Sequence, residues 1–238
     1  MESCSAPEGN RRVVVITGAG SGIGRVLCQG FSVEGYNVIG FGRRIDELEK
    51  TRESSPGMVA IAGDVTSQHD VELSVATALE RFGRIDVLIN NAGQNQAGNF
   101  VDNAFEDWRR IIDTNLIGLA RLTHQVLPIM VQKAHGRIVN IVSRAPEACF
   151  AGTSAYSSSK GAVMLLTRVI AREISGMGIN DILINDLIPG PTRTEMNMTG
   201  QDPVEIFPYV RELVELPSGG PNGIVFFKGK AYQPWVNG

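Results

Sequence analysis

The chain has 238 residues, of which 43% are hydrophobic and 20% are charged, and its formal net charge is −3 at pH 7. This length allows one large domain with a substantial core. The slight negative charge argues against a nucleic-acid-binding surface, and no stretch reaches the roughly 18 unbroken apolar residues that a membrane span requires.

The N-terminal residues 1–11 are polar and small, without the apolar core of a signal peptide. We expect a short disordered leader there, followed by a single domain over residues 12–238. The cysteines Cys4, Cys28 and Cys149 are far apart and form neither a CxxC pair nor a zinc spacing. The histidines show no metal spacing either. We therefore expect reduced thiols, no metal site and a cytoplasmic protein.

Short apolar, β-branched runs alternate with longer segments along the chain. Nearly continuous apolar runs are typical of strands that are covered on both faces, as parallel sheets require. They predict strands at residues 12–17, 36–41, 58–62, 85–90, 137–142, 182–188 and 224–227.

Helices are predicted between these strands. One follows the glycines after the first strand, a longer apolar stripe runs from Trp108 to Ile129 through Pro128, and a third helix spans 154–174. This alternation predicts βαβ units and therefore an α/β fold, a Rossmann-type doubly wound parallel β-sheet flanked by helices on both faces. The segment 193–223 is rich in Pro, Gly and charge, and we expect it to be a substrate loop within the single domain.

A glycine-rich loop from Thr17 to Gly24 directly follows the first strand and opens the first helix. Glycines permit a tight turn and let the backbone approach a pyrophosphate, which the free N–H groups of the helix N-terminus can bind. A purely structural turn is the alternative, but the strand–turn–helix context favours a dinucleotide site. The predicted contacts are Gly18, Gly20, Ser21, Gly22, Ile23 and Gly24.

The end of the second strand predicts which dinucleotide binds. NAD-binding proteins of this fold place an Asp or Glu there for the ribose 2′-OH. This sequence has Arg43 and Arg44 instead, with no carboxylate before Asp46. Because a guanidinium can pair bidentately with a 2′-phosphate, we expect NADP(H) rather than NAD(H), with Arg43 as the main contact and Arg44 as support. The alternative is that both arginines merely begin a solvated helix.

Further motifs follow in order and at regular spacings. They are Asp64-Val65, Asn90-Asn91-Ala92-Gly93, Asn115, Ser143, Tyr156-x-x-x-Lys160 and Pro189-Gly190-Pro191-Thr192. With the glycine loop, they make the chain resemble a short-chain dehydrogenase/reductase from about Arg12 to Thr194, with a tail similar to that of carbonyl-reductase-type members. The resemblance implies an NADP(H)-dependent reductase of a ketone or aldehyde that is reversible as an alcohol dehydrogenase.

The resemblance also implies roles for four polar residues. Tyr156 would donate the proton, Ser143 would hydrogen-bond the substrate oxygen, and Lys160 would tune the tyrosine and contact the nicotinamide ribose. The spacing i, i+4 places Tyr156 and Lys160 on one helical face, and a nearby ammonium would lower the phenol pKa by about one to three units. Asn115 would anchor a proton-relay water; the alternative is that it satisfies buried backbone groups.

The remaining cofactor contacts are likewise implied by the resemblance. Asp64 and Val65 would bind the adenine. The residues after the fourth strand would line the adenosine ribose; they are Asn91, Ala92 and Gly93. The residues after the sixth strand would cover the nicotinamide; they are Pro189, Gly190, Thr192 and Thr194.

The substrate is expected between the loops 146–153 and 94–98 and the segment 193–216. A compact hydrophobic carbonyl would meet an apolar wall of Met196, Met198, Phe207 and Tyr209. Arg144 could attract an anionic substrate or turn outward, and we expect it to turn outward. We identify no base that would activate the Cys149 thiol.

Alternatives remain open. One is a dinucleotide-sensing binding protein without turnover, and another is a sugar, steroid or 3-oxoacyl reductase with the same site. Family resemblance implies a homodimer or homotetramer formed through the helices that contain Asn115 and Tyr156. No nucleic-acid or membrane partner is expected.

Overall fold

Strands and helices alternate along the chain in the computed structural model, which describes residues 11–195 and 197–235. Strands β1 to β8 are Val13–Thr17, Asn37–Gly42, Val59–Ala62, Val87–Asn90, Gly136–Ile141, Ile182–Ile188, Val225–Phe227 and Lys230–Tyr232. Helices α1 to α8 are Gly22–Val33, Ile45–Glu53, Gln68–Phe82, Phe105–Ile112, Leu119–Lys133, Ala145–Ala148, Ser154–Gly176 and Phe207–Val214. A π-helical segment, Asp113–Gly118, joins α4 to α5, and a 3₁₀ turn, Pro203–Ile206, precedes α8.

The described strands form one sheet in the order β3-β2-β1-β4-β5-β6-β7-β8. The first seven strands pair in parallel, and β8 is antiparallel to β7. The strand order reverses between β1 and β4. Loops that leave the carboxyl ends of these two strands diverge, which opens a crevice at that edge of the sheet.

The core lies on both faces of this sheet. Residues of β1 alternate between the faces, so that Val14 and Ile16 pack beneath α1 and α8 whereas Val13 and Val15 pack beneath α3, α5 and α7. Double-sided burial explains why the strands are continuous apolar runs rather than alternating ones. The predicted doubly wound, single-domain α/β fold with helices on both faces is confirmed.

The long apolar stripe forms one helical path from Phe105 to Lys133, through α4, the π segment and α5. Pro128 lies inside α5, as predicted. Asn115 lies in the π segment, where the widened turn replaces regular α-helical geometry.

The C-terminal part differs from the prediction. The strand β8 was not predicted, and the expected substrate loop contains α8, whose Val210, Leu213 and Val214 are buried in the core. The Phe207 ring packs edge-on against Phe31, with ring centroids 5.2 Å apart. The segment therefore buries an amphipathic helix against α1, and only its beginning reaches the crevice.

Phe207 and Tyr209 do not form the predicted apolar wall of the substrate site. Both pack against the core, where they remove apolar surface from water. Met198 is 81% exposed. Met196 and residues 1–10 of the predicted leader lie outside the described residues. None of the helices in the described part of the chain has the length and apolarity to cross a bilayer.

Candidate active site

A cavity of about 890 Å³ opens at the carboxyl ends of the parallel strands. It runs along the crevice where the strand order reverses, and loops after six of the parallel strands contribute to its wall. Most of the residues predicted for the site line it, namely Gly18, Gly20, Ser21, Gly22, Ile23, Arg43, Arg44, Asp64, Val65, Asn91, Ala92, Gly93, Ser143, Tyr156, Lys160, Pro189, Gly190, Thr192 and Thr194. Gly24 and Asn115 lie behind the wall.

Glycines shape the loop between β1 and α1. Gly18 and Gly22 have φ angles of +66° and +51°, in the left-handed region that favours glycine. A Cβ atom on Gly24 would lie 2.1 Å from the Gly18 carbonyl oxygen, so Gly24 lets α1 pack onto the loop. Ser21 is the N-cap of α1, but no side chain among the described residues caps the helix there. The first-turn N–H groups are thus available to an anion.

The loop after β4 is fastened to the glycine loop. The Thr17 hydroxyl accepts hydrogen bonds from the N–H groups of Asn91 and Ala92, each at 2.9 Å. Asn91 Nδ2 donates to the Thr17 carbonyl at 2.9 Å. The Asn91 side chain therefore holds two cavity walls together.

The two arginines after β2 differ in their surroundings. Arg44 Nη2 lies 2.8 Å from Glu195 Oε2 and donates to Ser21 Oγ at 3.2 Å, so it bridges the glycine loop and the loop after β6. Glu195 was not predicted as part of the site. No ion pair of Arg43 is found in residues 11–195 and 197–235. Within the part of the chain that the structure describes, Arg43 thus has no carboxylate partner, while Arg44 is partly neutralised by Glu195.

Asp64 shapes the loop after β3. Its Oδ1 accepts hydrogen bonds from the N–H and the hydroxyl of Thr66, both at 2.9 Å. These bonds hold the turn in which Asp64 and Val65 line the cavity.

Ser143, Tyr156 and Lys160 meet at the opposite end of the cavity. Tyr156 and Lys160 come from α7, and Ser143 follows β5. Lys160 is buried; its Nζ donates to the Ile141 carbonyl at 2.8 Å and lies 5.8 Å from the centroid of the Tyr156 ring. The helix thus places both side chains on one face, as their spacing predicts.

The ionisable groups at this end are perturbed by burial. Burial raises the pKa of the Tyr156 phenol, and the neighbouring Ser143 hydroxyl acts in the opposite direction. The lowering expected from Lys160 is not found: burial has the largest effect on the phenol pKa, and the Ser143 hydroxyl is the group that opposes it. Burial lowers the pKa of Lys160 to about 8, against the opposing effect of the Asp186 carboxylate.

Asn115 is fully buried in the π segment. Its Oδ1 accepts from the Gln94 N–H at 2.7 Å, and its Nδ2 donates to the Gln94 carbonyl at 2.9 Å and to Ser159 Oγ at 3.1 Å. The side chain thus satisfies backbone groups of the loop after β4, which is the alternative that the sequence left open. A Cβ on Gly93 would lie 3.6 Å from Lys160 Nζ, so that loop passes close to the lysine.

The wall beside Ser143 and Tyr156 combines apolar and polar groups. The predicted loops supply Phe150 and Gln94, and Phe227 from β7 adds an aromatic ring that was not predicted. The Arg144 side chain is 57% exposed; its guanidinium lies 5.7 Å from the Phe227 ring centroid, and the residue borders the mouth of the cavity. Cys149 is exposed, and its Sγ contacts the Pro146 carbonyl oxygen at 3.4 Å.

Comparison with known proteins gives consistent matches. The family model described as short chain dehydrogenase matches residues 12–204. The chain is 34% identical to 2-(R)-hydroxypropyl-CoM dehydrogenase from Xanthobacter autotrophicus, over 82% of this chain and 80% of that protein. It is 35% identical to meso-2,3-butanediol dehydrogenase from Serratia marcescens, over 87% and 81%. A crystal structure of an actinorhodin polyketide ketoreductase with NADPH superposes with a TM-score of 0.85 at 28% identity, over 93% of this chain and 97% of that one.

Proposed function

Since the chain belongs to the short-chain dehydrogenase family, we propose that it is an NADPH-dependent reductase of a ketone or aldehyde, reversible as an alcohol dehydrogenase. The family assignment makes the protein an oxidoreductase that uses a nicotinamide cofactor. The observation that carries the finer proposal is the shared cavity, which has Arg43 and the glycine loop at one end and Ser143, Tyr156 and Lys160 at the other.

The residues of the cavity fit a dinucleotide. Left-handed glycines bring the backbone close to the cavity, and the uncapped N-terminus of α1 offers N–H groups to a pyrophosphate. We propose that Arg43 binds the 2′-phosphate and that Asp64 and Val65 contact the adenine. Asn91, Ala92 and Gly93 are assigned to the adenosine ribose, and the segment from Pro189 to Thr194 to the nicotinamide.

The catalytic residues act on the substrate oxygen. When bound, NADPH supplies a hydride to the carbonyl carbon. Because burial raises the pKa of Tyr156, its phenol is protonated at neutral pH and can donate a proton to that oxygen. The Ser143 hydroxyl donates a hydrogen bond to the same oxygen and stabilises the charge that develops on it. The Lys160 ammonium stabilises the tyrosinate that remains.

Asn115 acts through the loop that it holds. Its two hydrogen bonds to Gln94 fix the backbone that passes Lys160 at Gly93. We propose that this contact keeps the loop after β4 against the lysine. The proton-relay water remains a prediction.

The substrate end of the cavity supports a compact carbonyl compound. Phe150 and Phe227 supply apolar surface, and Gln94 and Arg144 supply polar groups around Ser143 and Tyr156.

The cytoplasmic location of the protein remains a prediction, and the proposed function does not depend on it.

A substrate screen tests the proposed function. We expect the purified protein to oxidise NADPH with a subset of small ketones and aldehydes, and to reduce NADP⁺ with the corresponding alcohols. The absorbance of the reduced nicotinamide reports both directions. Tight NADPH binding without turnover on any compound of the panel would contradict the proposal and favour the dinucleotide-sensing alternative.

Self-association through the long helices is a second testable proposal. Leu165 and Val169 lie one turn apart on α7 and are 58% and 51% exposed, and Ile117 in the π segment is 43% exposed. We expect the double substitution Leu165→Asp and Val169→Asp to yield monomers, because it places charges in an apolar interface. Light scattering coupled to gel filtration measures the mass.

The matched control is Val33→Asp on α1, a residue that is 81% exposed and lies away from these helices. Its mass is expected to equal that of the unaltered protein. A double variant that keeps the oligomeric mass of the parent would show that the interface lies elsewhere.

A further inference from the structure

A row of buried, hydrogen-bonded polar side chains crosses the centre of the sheet on the side of α7, the helix that carries Lys160. Asn90, Asn140 and Asp186 are register partners on β4, β5 and β6. Asn90 Nδ2 donates to Asn140 Oδ1 at 2.9 Å, and Asn140 Nδ2 donates to Asp186 Oδ1 at 3.2 Å. The row faces α5 and α7, the side of the sheet on which Lys160 lies.

Asp186 is the one ionisable member of this row and is fully buried. The Thr167 hydroxyl donates to its Oδ1 at 2.7 Å, whereas its Oδ2 has no hydrogen-bond partner within the described part of the chain. A buried carboxylate with an unpaired oxygen is costly. Its neighbours in the row are asparagines, which are neutral, so the hydrogen bonds of the row do not by themselves require a charged side chain at this position.

The cations that act on Asp186 come from α7. They are the Arg168 guanidinium and the Lys160 ammonium, and both lower the pKa of the carboxyl group, which burial raises more strongly. The neighbouring strands contribute Asn140 and Val225, which carry no charge. Helix α8 packs on the opposite face of β6, where its Arg211 pairs with Glu34.

We propose that Asp186 is a positioning residue of the active site, whose buried carboxylate keeps the Lys160 ammonium charged for its role beside Tyr156. This inference rests on the proposed function, because that function requires the Lys160 side chain to be a charged ammonium beside Tyr156. Lys160 is buried and donates to a neutral carbonyl, so its charge needs a counter-charge nearby.

The pKa values of the pair fit this arrangement. Burial raises the pKa of Asp186 to about 7, and burial lowers that of Lys160 to about 8. As the pH rises through 7, Asp186 ionises, and its negative charge raises the pKa of Lys160. The lysine therefore retains its proton to a higher pH than it would beside a neutral group.

Asp186→Asn tests the inference, because it removes the charge and preserves the shape of the side chain. We expect the pKa of Lys160, read by heteronuclear NMR of the lysine Cε–Hε groups, to fall by about one unit. Lys160→Arg identifies the resonance by its loss. In carbonyl reduction, the alkaline limb of the kcat/KM profile is expected to move to lower pH by the same amount.

Asp86→Asn is the matched control. Asp86 is also a buried carboxylate, but it directly precedes β4, at the amino ends of the strands. There it pairs with Arg84. It is expected to lose stability without moving the pKa of Lys160. A folded Asp186→Asn protein with an unchanged Lys160 pKa would overturn the inference.

A second variant serves if Asp186→Asn does not fold. Thr167→Val removes the shortest hydrogen bond to Asp186, which raises the pKa of the carboxyl group and is expected to lower that of Lys160 in the neutral range. An unchanged pKa of Lys160 in the Thr167→Val variant would count against the inference. The NMR titration of Lys160 requires no turnover. A protein that is inactive on every carbonyl would therefore contradict the proposed function, while the effect of Asp186 on the pKa of Lys160 could still be measured.

Discussion

Replacing Tyr156 by phenylalanine is expected to lower kcat for carbonyl reduction by roughly a hundred- to ten-thousand-fold, with the Kd for NADPH nearly unchanged. This range is that of a general acid acting on the reacting oxygen. Phenylalanine keeps the ring and, with it, the place beside Lys160. It removes only the hydroxyl that donates the proton.

The pH dependence supplies a second expectation for Tyr156. Burial raises the pKa of the phenol, so the protonated form that reduction requires is fully present at neutral pH and is lost as the pH rises through that pKa. Alcohol oxidation requires the deprotonated form and should therefore accelerate with rising pH. Opposite limbs in the two directions, at a pH above the limb that follows Lys160, would identify one group as acid and base.

Steady-state kinetics and cofactor fluorescence titration measure the effect of Tyr156→Phe. Tyr209→Phe is the matched control, because it removes a hydroxyl from a residue that packs against the core. It should retain the activity of the parent. If Tyr156→Phe keeps most of its kcat, Tyr156 is not the proton donor.

The parts of the fold that depend on patterns of neighbouring residues could be predicted. Continuous apolar runs identified the parallel strands, and the glycine loop identified the crevice, because both signals come from neighbours in sequence. Val210, Leu213 and Val214 have the i, i+3, i+4 spacing of a buried helical face, yet Pro208 and adjacent charges made the segment look like a loop. A pattern this short does not show whether its apolar face meets the core or a substrate.

Contacts between distant segments could not be predicted. Glu195 reaches Arg44 across 151 positions of sequence, and nothing local to either residue indicates that pair. Asp186 is an acid inside an apolar strand that the sequence analysis did not single out, and only the register of β5 and β6 places it in the row with Asn140. The proximity of Tyr156 and Lys160 could be predicted because one helix carries both residues. Their pKa values could not be predicted, because they depend on burial by the whole fold.

We expect Arg43 to decide between the two nicotinamide cofactors. Replacing Arg43 by alanine is expected to raise the KM for NADPH by roughly 10- to 100-fold, which is the effect of losing hydrogen bonds between a guanidinium and a phosphate. The KM for NADH should change little, since NADH lacks the 2′-phosphate. Initial rates with each cofactor at saturating carbonyl substrate give both values.

Arg44→Ala is expected to have a smaller effect than Arg43→Ala, although the two arginines are adjacent. Arg44 is already paired with Glu195, and that pair is exposed, so removing it forfeits little free energy. Glu195→Gln should release the Arg44 guanidinium and lower the KM for NADPH, because it also removes a negative charge from beside the phosphate position.

An exposed arginine outside the cavity completes the comparison. Arg52 lies on α2 and pairs with Glu49, so Arg52→Ala changes the net charge as Arg43→Ala does, without altering the cavity. Both cofactors should bind this variant as they bind the parent. If Arg43→Ala raises the KM values for NADPH and NADH equally, Arg43 does not read the 2′-phosphate, and the preference for NADPH has to be abandoned.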